Sequence, residues 1–194
     1  MLIVGAPGSG KGTQAARVSE QLGIPAISTG DIFRDNVKNL TPLGQEAKAY
    51  MDNGDFVPDA ITNEMVRARL LADDVESGFL LDGYPRTKAQ VSYLDGILSP
   101  MGQQIDAALL LVVPDHELIA RLLSRAAESG RTDDTATVIK HRLDLYHQQT
   151  KLMLSEYAER TRLVEVDGTG TIDEVTLRVL EGIETARSGL PLRA

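Results

Sequence analysis

The sequence predicts an α/β protein built on a doubly wound, five-stranded parallel sheet. Two observations carry that prediction. Residues 2–4, 26–28, 79–81, 107–113 and 163–166 are short apolar runs, continuous where a half-exposed strand would alternate. Continuous runs suit parallel strands covered on both faces. Helix-patterned stretches separate them, and strand–helix alternation implies right-handed crossovers onto one parallel sheet. At 194 residues the chain can bury one substantial core, which reads as a single domain with small inserts.

The helical stretches follow in order. Residues 12–22 come after the first strand and are closed by Gly23-Ile24-Pro25. Residues 31–40, 42–53 and 59–73 follow the second strand, 88–98 the third and 115–127 the fourth. A long helix over 134–160 precedes the fifth strand, and 172–187 comes last. Three helices between strands two and three exceed what one crossover needs, and inserts at the carboxyl end of such a sheet commonly carry binding parts. Residues 127–134 form a polar link with Gly130 as hinge candidate, and the tail from Ser188 reads as unstructured. Only Met1 to Val4 precede the first glycine, so the first strand is short or leading residues are absent.

Composition narrows the function. Apolar residues make up 42% and charged residues 25%, and 28 acidic against 20 basic side chains give a net charge of −8. That balance argues against nucleic acid as a partner. It still permits an anionic small molecule, because a few cations focused in a cleft can bind phosphate. The absence of cysteine excludes disulfides, thiolate zinc sites and thiol catalysis. No signal-peptide pattern is present, and the apolar run at 107–114 is too short for a bilayer, so a soluble cytoplasmic protein without a membrane partner is expected.

Gly5-Ala-Pro-Gly-Ser-Gly-Lys-Gly-Thr follows an apolar run and opens a helix. Glycines let successive N–H groups curl inward as an anion nest, and the helix amino terminus adds its dipole. Gly8, Ser9, Gly10, Gly12 and Thr13 are the candidate phosphate contacts, and Lys11 supplies a mobile cation. The Gly-x4-Gly-Lys core is present, but Gly12 intervenes before the hydroxyl of Thr13, which marks a subclass of the general pattern. A glycine-rich turn without ligand would have no use for Lys11.

Further segments extend the pattern: Ile27-Ser-Thr-Gly-Asp-Ile-Phe-Arg34, Phe79-Leu-Leu-Asp-Gly-Tyr-Pro-Arg86 with Gln90, and Arg131-Thr-Asp-Asp134 with Arg142. With the glycine loop, in this order and spacing, the chain resembles the adenylate kinase family of nucleoside monophosphate kinases over nearly its whole length. The resemblance implies strand order 2-3-1-4-5, with a core of residues 1–28, 59–124 and 135–194, an AMP-binding insert at 29–58 and a lid at 125–134. Only residues 126–130 separate Arg125 from Arg131, so the lid is the short form, without zinc.

Moving a phosphoryl group between two nucleotides brings polyanions together, and fixed cations must offset their repulsion. Lys11, Arg34, Arg86, Arg121, Arg125, Arg131 and Arg142 are the candidates, and arginine forks grip phosphate oxygens in pairs. Arg121 and Arg125 lie four apart and share a helix face. Any one arginine alone would read as a surface ion pair. Asp82 ends an apolar run beside the loop and is placed to hold Mg²⁺ through water, the metal carried with ATP. Asp31 either caps the next helix or meets the metal's water. Asp133 and Asp134 read as caps of the long helix, and the resemblance adds a part in lid closure. The acceptor phosphate is already ionised, so no general base is required and His116, His141 and His147 are assigned no role. Met51, Met65, Met101 and Met153 read as gap-filling core or interface.

The resemblance also implies the base contacts. Thr29 and Gln90 lie around the acceptor adenine, with Asp55, Phe56, Val57, Gly83, Tyr84, Pro85 and Arg86 lining the rest, while Gly170 meets the adenine of ATP. Similar pyrimidine nucleotide kinases tend to carry alanine where Thr29 stands, so AMP is favoured over UMP or CMP. The expectation is reversible transfer from MgATP to AMP giving two ADP, by a monomer. The rivals are a UMP/CMP-type kinase and a nucleotide-switched regulatory protein without turnover.

Overall fold

The computed structural model describes residues 1–129, 135–160 and 162–188. β1 (Leu2–Gly5) leads through the glycine loop into α1 (Lys11–Leu22), and β2 (Ala26–Ser28) into α2 (Thr29–Lys38), α3 (Pro42–Asn53) and α4 (Asp59–Leu70). Then come β3 (Leu80–Asp82), α5 (Lys88–Leu98), β4 (Ala107–Val112), α6 (Asp115–Ser129), α7 (Ala136–Leu145), α8 (Lys151–Arg160), β5 (Arg162–Asp167) and α9 (Ile172–Ser188). The five strands form one sheet in the order β2-β3-β1-β4-β5, every pairing parallel.

The continuous apolar runs are explained by two separate cores. Leu2, Val4, Leu81, Ala108 and Leu110 point to one face, where Val66, Leu94 and Tyr157 cover them. Ile3, Leu80, Leu109, Leu111 and Val164 point to the other, under Ala15, Val18, Val179 and Ile183. Successive strand residues face opposite sides, so a strand covered on both must be apolar throughout. β1 spans four residues, and Leu81 N–H also donates to Met1 O at 3.1 Å. A smaller cluster around Leu118, Leu122, Ile139 and Leu143 joins α6 to α7, and another around Phe33, Ala47 and Val57 holds the inserted helices.

Several boundaries differ from expectation, each for a local reason. α2 begins at Thr29, because Ser28 Oγ accepts the Asp31 N–H and so caps the helix; Asp31 is not the cap. α4 ends at Leu70, and a separate 3₁₀ turn covers Asp73–Val75. The long helix is interrupted by a wider π-helical turn at Tyr146–Thr150 between α7 and α8. Thr135 caps α7 by accepting the Val138 N–H. Asp133, Asp134, Gly130 and Arg131 lie outside the described residues, as does the tail beyond Ser188. Met153 is fully buried as expected, whereas Met101 is 41% exposed on the turn after α5 and fills no gap.

Candidate active site

The glycine loop sits at the carboxyl end of β1 and delivers Lys11 as the first residue of α1. Gly10 precedes the helix in the left-handed region, and α1 has no side-chain cap, so the first-turn N–H groups are left for a ligand. Gly8 is irreplaceable on two counts. Its φ is +85°, and a Cβ there would fall 2.9 Å from the Leu118 carbonyl oxygen of α6. Lys11 Nζ donates to Ala6 O at 3.0 Å and lies within the cleft. Burial pulls its pKa down to about 8; Asp82 opposes that shift, while Arg86, Arg142 and Arg125 add to it.

The cleft beside the loop has a volume of about 530 Å³. Gly8, Gly10, Lys11, Gly12 and Thr13 line it from the loop, Arg121 and Arg125 from α6, and Arg142 from α7. Ser9 behaves differently from its neighbours. It is 2% exposed and gives its N–H to Ala6 O, so it lies beneath the loop. Arg121 Nη2 donates to Gly168 O at 3.0 Å, tying α6 to the turn after β5. Gly170, on that same turn, is not among the residues lining this cleft.

A second cavity, of about 80 Å³, opens between the inserted helices and the sheet. Thr29, Arg34, Arg86, Gln90 and the 55–57 backbone segment line it. Arg86 Nε donates to Gly83 O at 2.7 Å, and its guanidinium lies 5.0 Å from the Phe56 ring centre, a cation–π contact. Burial first, then the neighbouring Arg142, lower the Arg86 pKa to about 10. Thr29 Oγ1 donates to Gly83 O at 3.0 Å. Tyr84 and Pro85 line a channel next to Lys11, and the Tyr84 hydroxyl donates to Asn63 Oδ1.

Arg34, Arg86 and Arg142 line both cavities. Cations crowded this closely repel one another, and the downward shifts of Lys11 and Arg86 are that repulsion acting with burial. Bound anions would relieve it. Asp31 pairs with Arg34. Asp82 is 8% exposed, and its Oδ1 has no hydrogen-bond partner among the described residues. A buried, unpaired carboxylate oxygen beside Lys11 and Thr13 fits the water shell of a Mg²⁺ ion. Among the described residues no group of three or more His, Cys, Asp or Glu side chains is arranged to hold a metal directly.

The adenylate kinase family model matches residues 3–162. Proteins named adenylate kinase are 64% identical in Pseudarthrobacter chlorophenolicus, 61% in Renibacterium salmoninarum and 60% in Micrococcus luteus, each over 188 residues. Those alignments cover 97% of this chain and 98%, 97% and 92% of the three relatives. The chain belongs to the adenylate kinase family.

Three residues behind the narrow pocket and the channel beside it escape a reading of the sequence. Asp59 accepts from Gln90 Nε2 at 2.7 Å and from Thr87 Oγ1 at 3.2 Å. Asn63 anchors Tyr84, and His141 pairs with Asp55 at 2.7 Å across 86 residues of sequence. In sequence these are a first-turn helix acid, a mid-helix amide and a solvated histidine. Only the fold brings them to Gln90, Tyr84 and Asp55.

Proposed function

We propose that this chain catalyses MgATP + AMP ⇌ 2 ADP by direct in-line transfer. The observation that carries this reading is the sharing of Arg34, Arg86 and Arg142 by the two cavities. A binding module for a single nucleotide would need one such lining.

ATP occupies the wide cleft with its outer phosphates on the loop, and AMP occupies the narrow pocket with its phosphate toward Arg86. Loop N–H groups and Lys11 hold the donor phosphates, while Arg121, Arg125 and Arg142 neutralise charge that spreads over the transferred group. Arg131 would join them from the lid at 125–134. Asp82 would hold the water shell of the Mg²⁺ carried with the nucleotide, which would supply charge withdrawal at the phosphates, and Asp31 serves Arg34. Gly170 keeps a place near the ATP adenine. The insert at 29–58 brings the acceptor into line, and no group removes a proton, because the acceptor phosphate is already ionised. A cytoplasmic monomer without a nucleic-acid or membrane partner completes the reading. It rests on the acidic composition and the family resemblance.

ADP formation with AMP, UMP, CMP and GMP at equal MgATP tests it. AMP should exceed the other three by at least about a hundredfold in kcat/KM. Absence of AMP-dependent ADP formation, or a preference for a pyrimidine nucleotide, would overturn it.

A further inference from the structure

The Gln90 side chain is 2% exposed, and both ends of its amide are engaged. Oε1 accepts the Arg86 backbone N–H at 2.7 Å, and Nε2 donates to Asp59 Oδ1 at 2.7 Å. A backbone N–H can only donate and an ionised carboxylate can only accept. The amide therefore has one permitted orientation. A flip would set Nε2 against the Arg86 N–H and Oε1 against the Asp59 carboxylate. Asp59 is itself held by Thr87 Oγ1, and Thr87 caps α5 by accepting the Gln90 N–H at 3.2 Å. The anchor thus spans the first residue of α4 and the start of α5.

We infer that Asp59 is a specificity-determining positioning residue, fixing the Gln90 amide so that the acceptor pocket reads adenine and rejects guanine. Gln90 lines that pocket, so a bound base meets what the amide has left, one N–H on Nε2 and one lone pair on Oε1. Adenine offers the complement, an amino donor beside a ring-nitrogen acceptor. Guanine offers the reverse at the same edge, a carbonyl acceptor beside a ring N–H donor, and would need the flipped amide. The carboxylate forbids that flip from the far side of Gln90, without touching the nucleotide. The inference rests on AMP being the acceptor.

Asp59→Asn tests it with little change of shape, since its side-chain amide donates as readily as it accepts and leaves the orientation to the Arg86 N–H alone. The ratio of kcat/KM for AMP to that for GMP should fall about tenfold, the worth of one charge-assisted hydrogen bond. The fall should appear as a higher KM for AMP with kcat within twofold. Asp59→Ala should lower the ratio at least as far, and in a Gln90→Ala background Asp59→Asn should leave it unchanged. A ratio within twofold of the parent in Asp59→Asn would overturn the inference. So would an equal loss with AMP and GMP, or a full effect persisting without Gln90. If the parent enzyme makes no ADP from AMP, the acceptor assignment has failed instead, and the two failures are distinct.

Discussion

The wide cleft and the narrow pocket share arginines but are built by different means. The cleft is shaped by backbone: a glycine loop, an uncapped helix start and close approach of Gly8 to α6. The pocket is shaped by side chains hydrogen-bonded across long sequence separations, Thr29 to Gly83, Gln90 to Asp59 and Asp55 to His141. Backbone donors suit phosphate, which is the same in every nucleoside triphosphate, while fixed side chains suit a base, which must be told from its relatives. Substitutions should therefore separate the two regions. In the cleft they should abolish transfer; in the pocket they should change which acceptor is used.

The largest effect belongs to Lys11→Met. Transfer should fall by about a thousandfold or more with every acceptor, because the cation facing the donor phosphates is gone. Stability should move the other way. The folded pKa of about 8 lies below the ordinary 10.5, so charged Lys11 penalises the fold fully below pH 8, and the penalty fades as pH rises toward 10.5. Lys11→Met should thus raise stability by on the order of 1–2 kcal/mol at pH 7. Thermal unfolding followed from pH 7 to 10.5 should show the gap between the two proteins closing. A variant less stable than the parent at pH 7 would mean that the buried cation is already satisfied by Ala6 and Asp82.

Arg86→Ala comes next and marks the pocket's side of the contrast. KM for AMP should rise by about a hundredfold, while KM for MgATP shifts much less, in a two-substrate titration. Equal changes in both constants would show that Arg86 serves the cleft as much as the pocket, and the contrast would weaken.

The same contrast governs what a reader of the sequence can find. The loop is legible because its chemistry is local: glycines, a lysine and a helix start within nine residues. The central strands β1, β3 and β4 are legible because burial on two faces forces a continuous apolar run, whereas the edge strands β2 and β5 expose Ala26 and Glu165. The pocket's frame is not. Nothing near Asp59 announces that its carboxylate meets Gln90, 31 residues on, and nothing near His141 announces Asp55. Caps fall between these cases. Asp31 and Ser28 both suit a helix start, and only the extended backbone of Ser28 decides between them. The break at Tyr146–Thr150 is equally silent, since its residues suit a regular helix.

The smallest effect expected is that of Thr29→Ala. The lost hydroxyl donates to Gly83 O, but that oxygen also accepts Arg86 Nε at 2.7 Å, so no buried carbonyl is orphaned. The helix cap is Ser28 and is untouched. Stability should therefore drop by less than about 1 kcal/mol in denaturant unfolding. Acceptor choice should move more than stability does. Removing the hydroxyl loosens the floor on which the base rests, and turnover with UMP or CMP relative to AMP should rise by about threefold to tenfold. If stability falls by several kcal/mol and acceptor choice stays fixed, Thr29 is a structural tie between α2 and β3, and base selection in the pocket lies with Gln90 and its anchors alone.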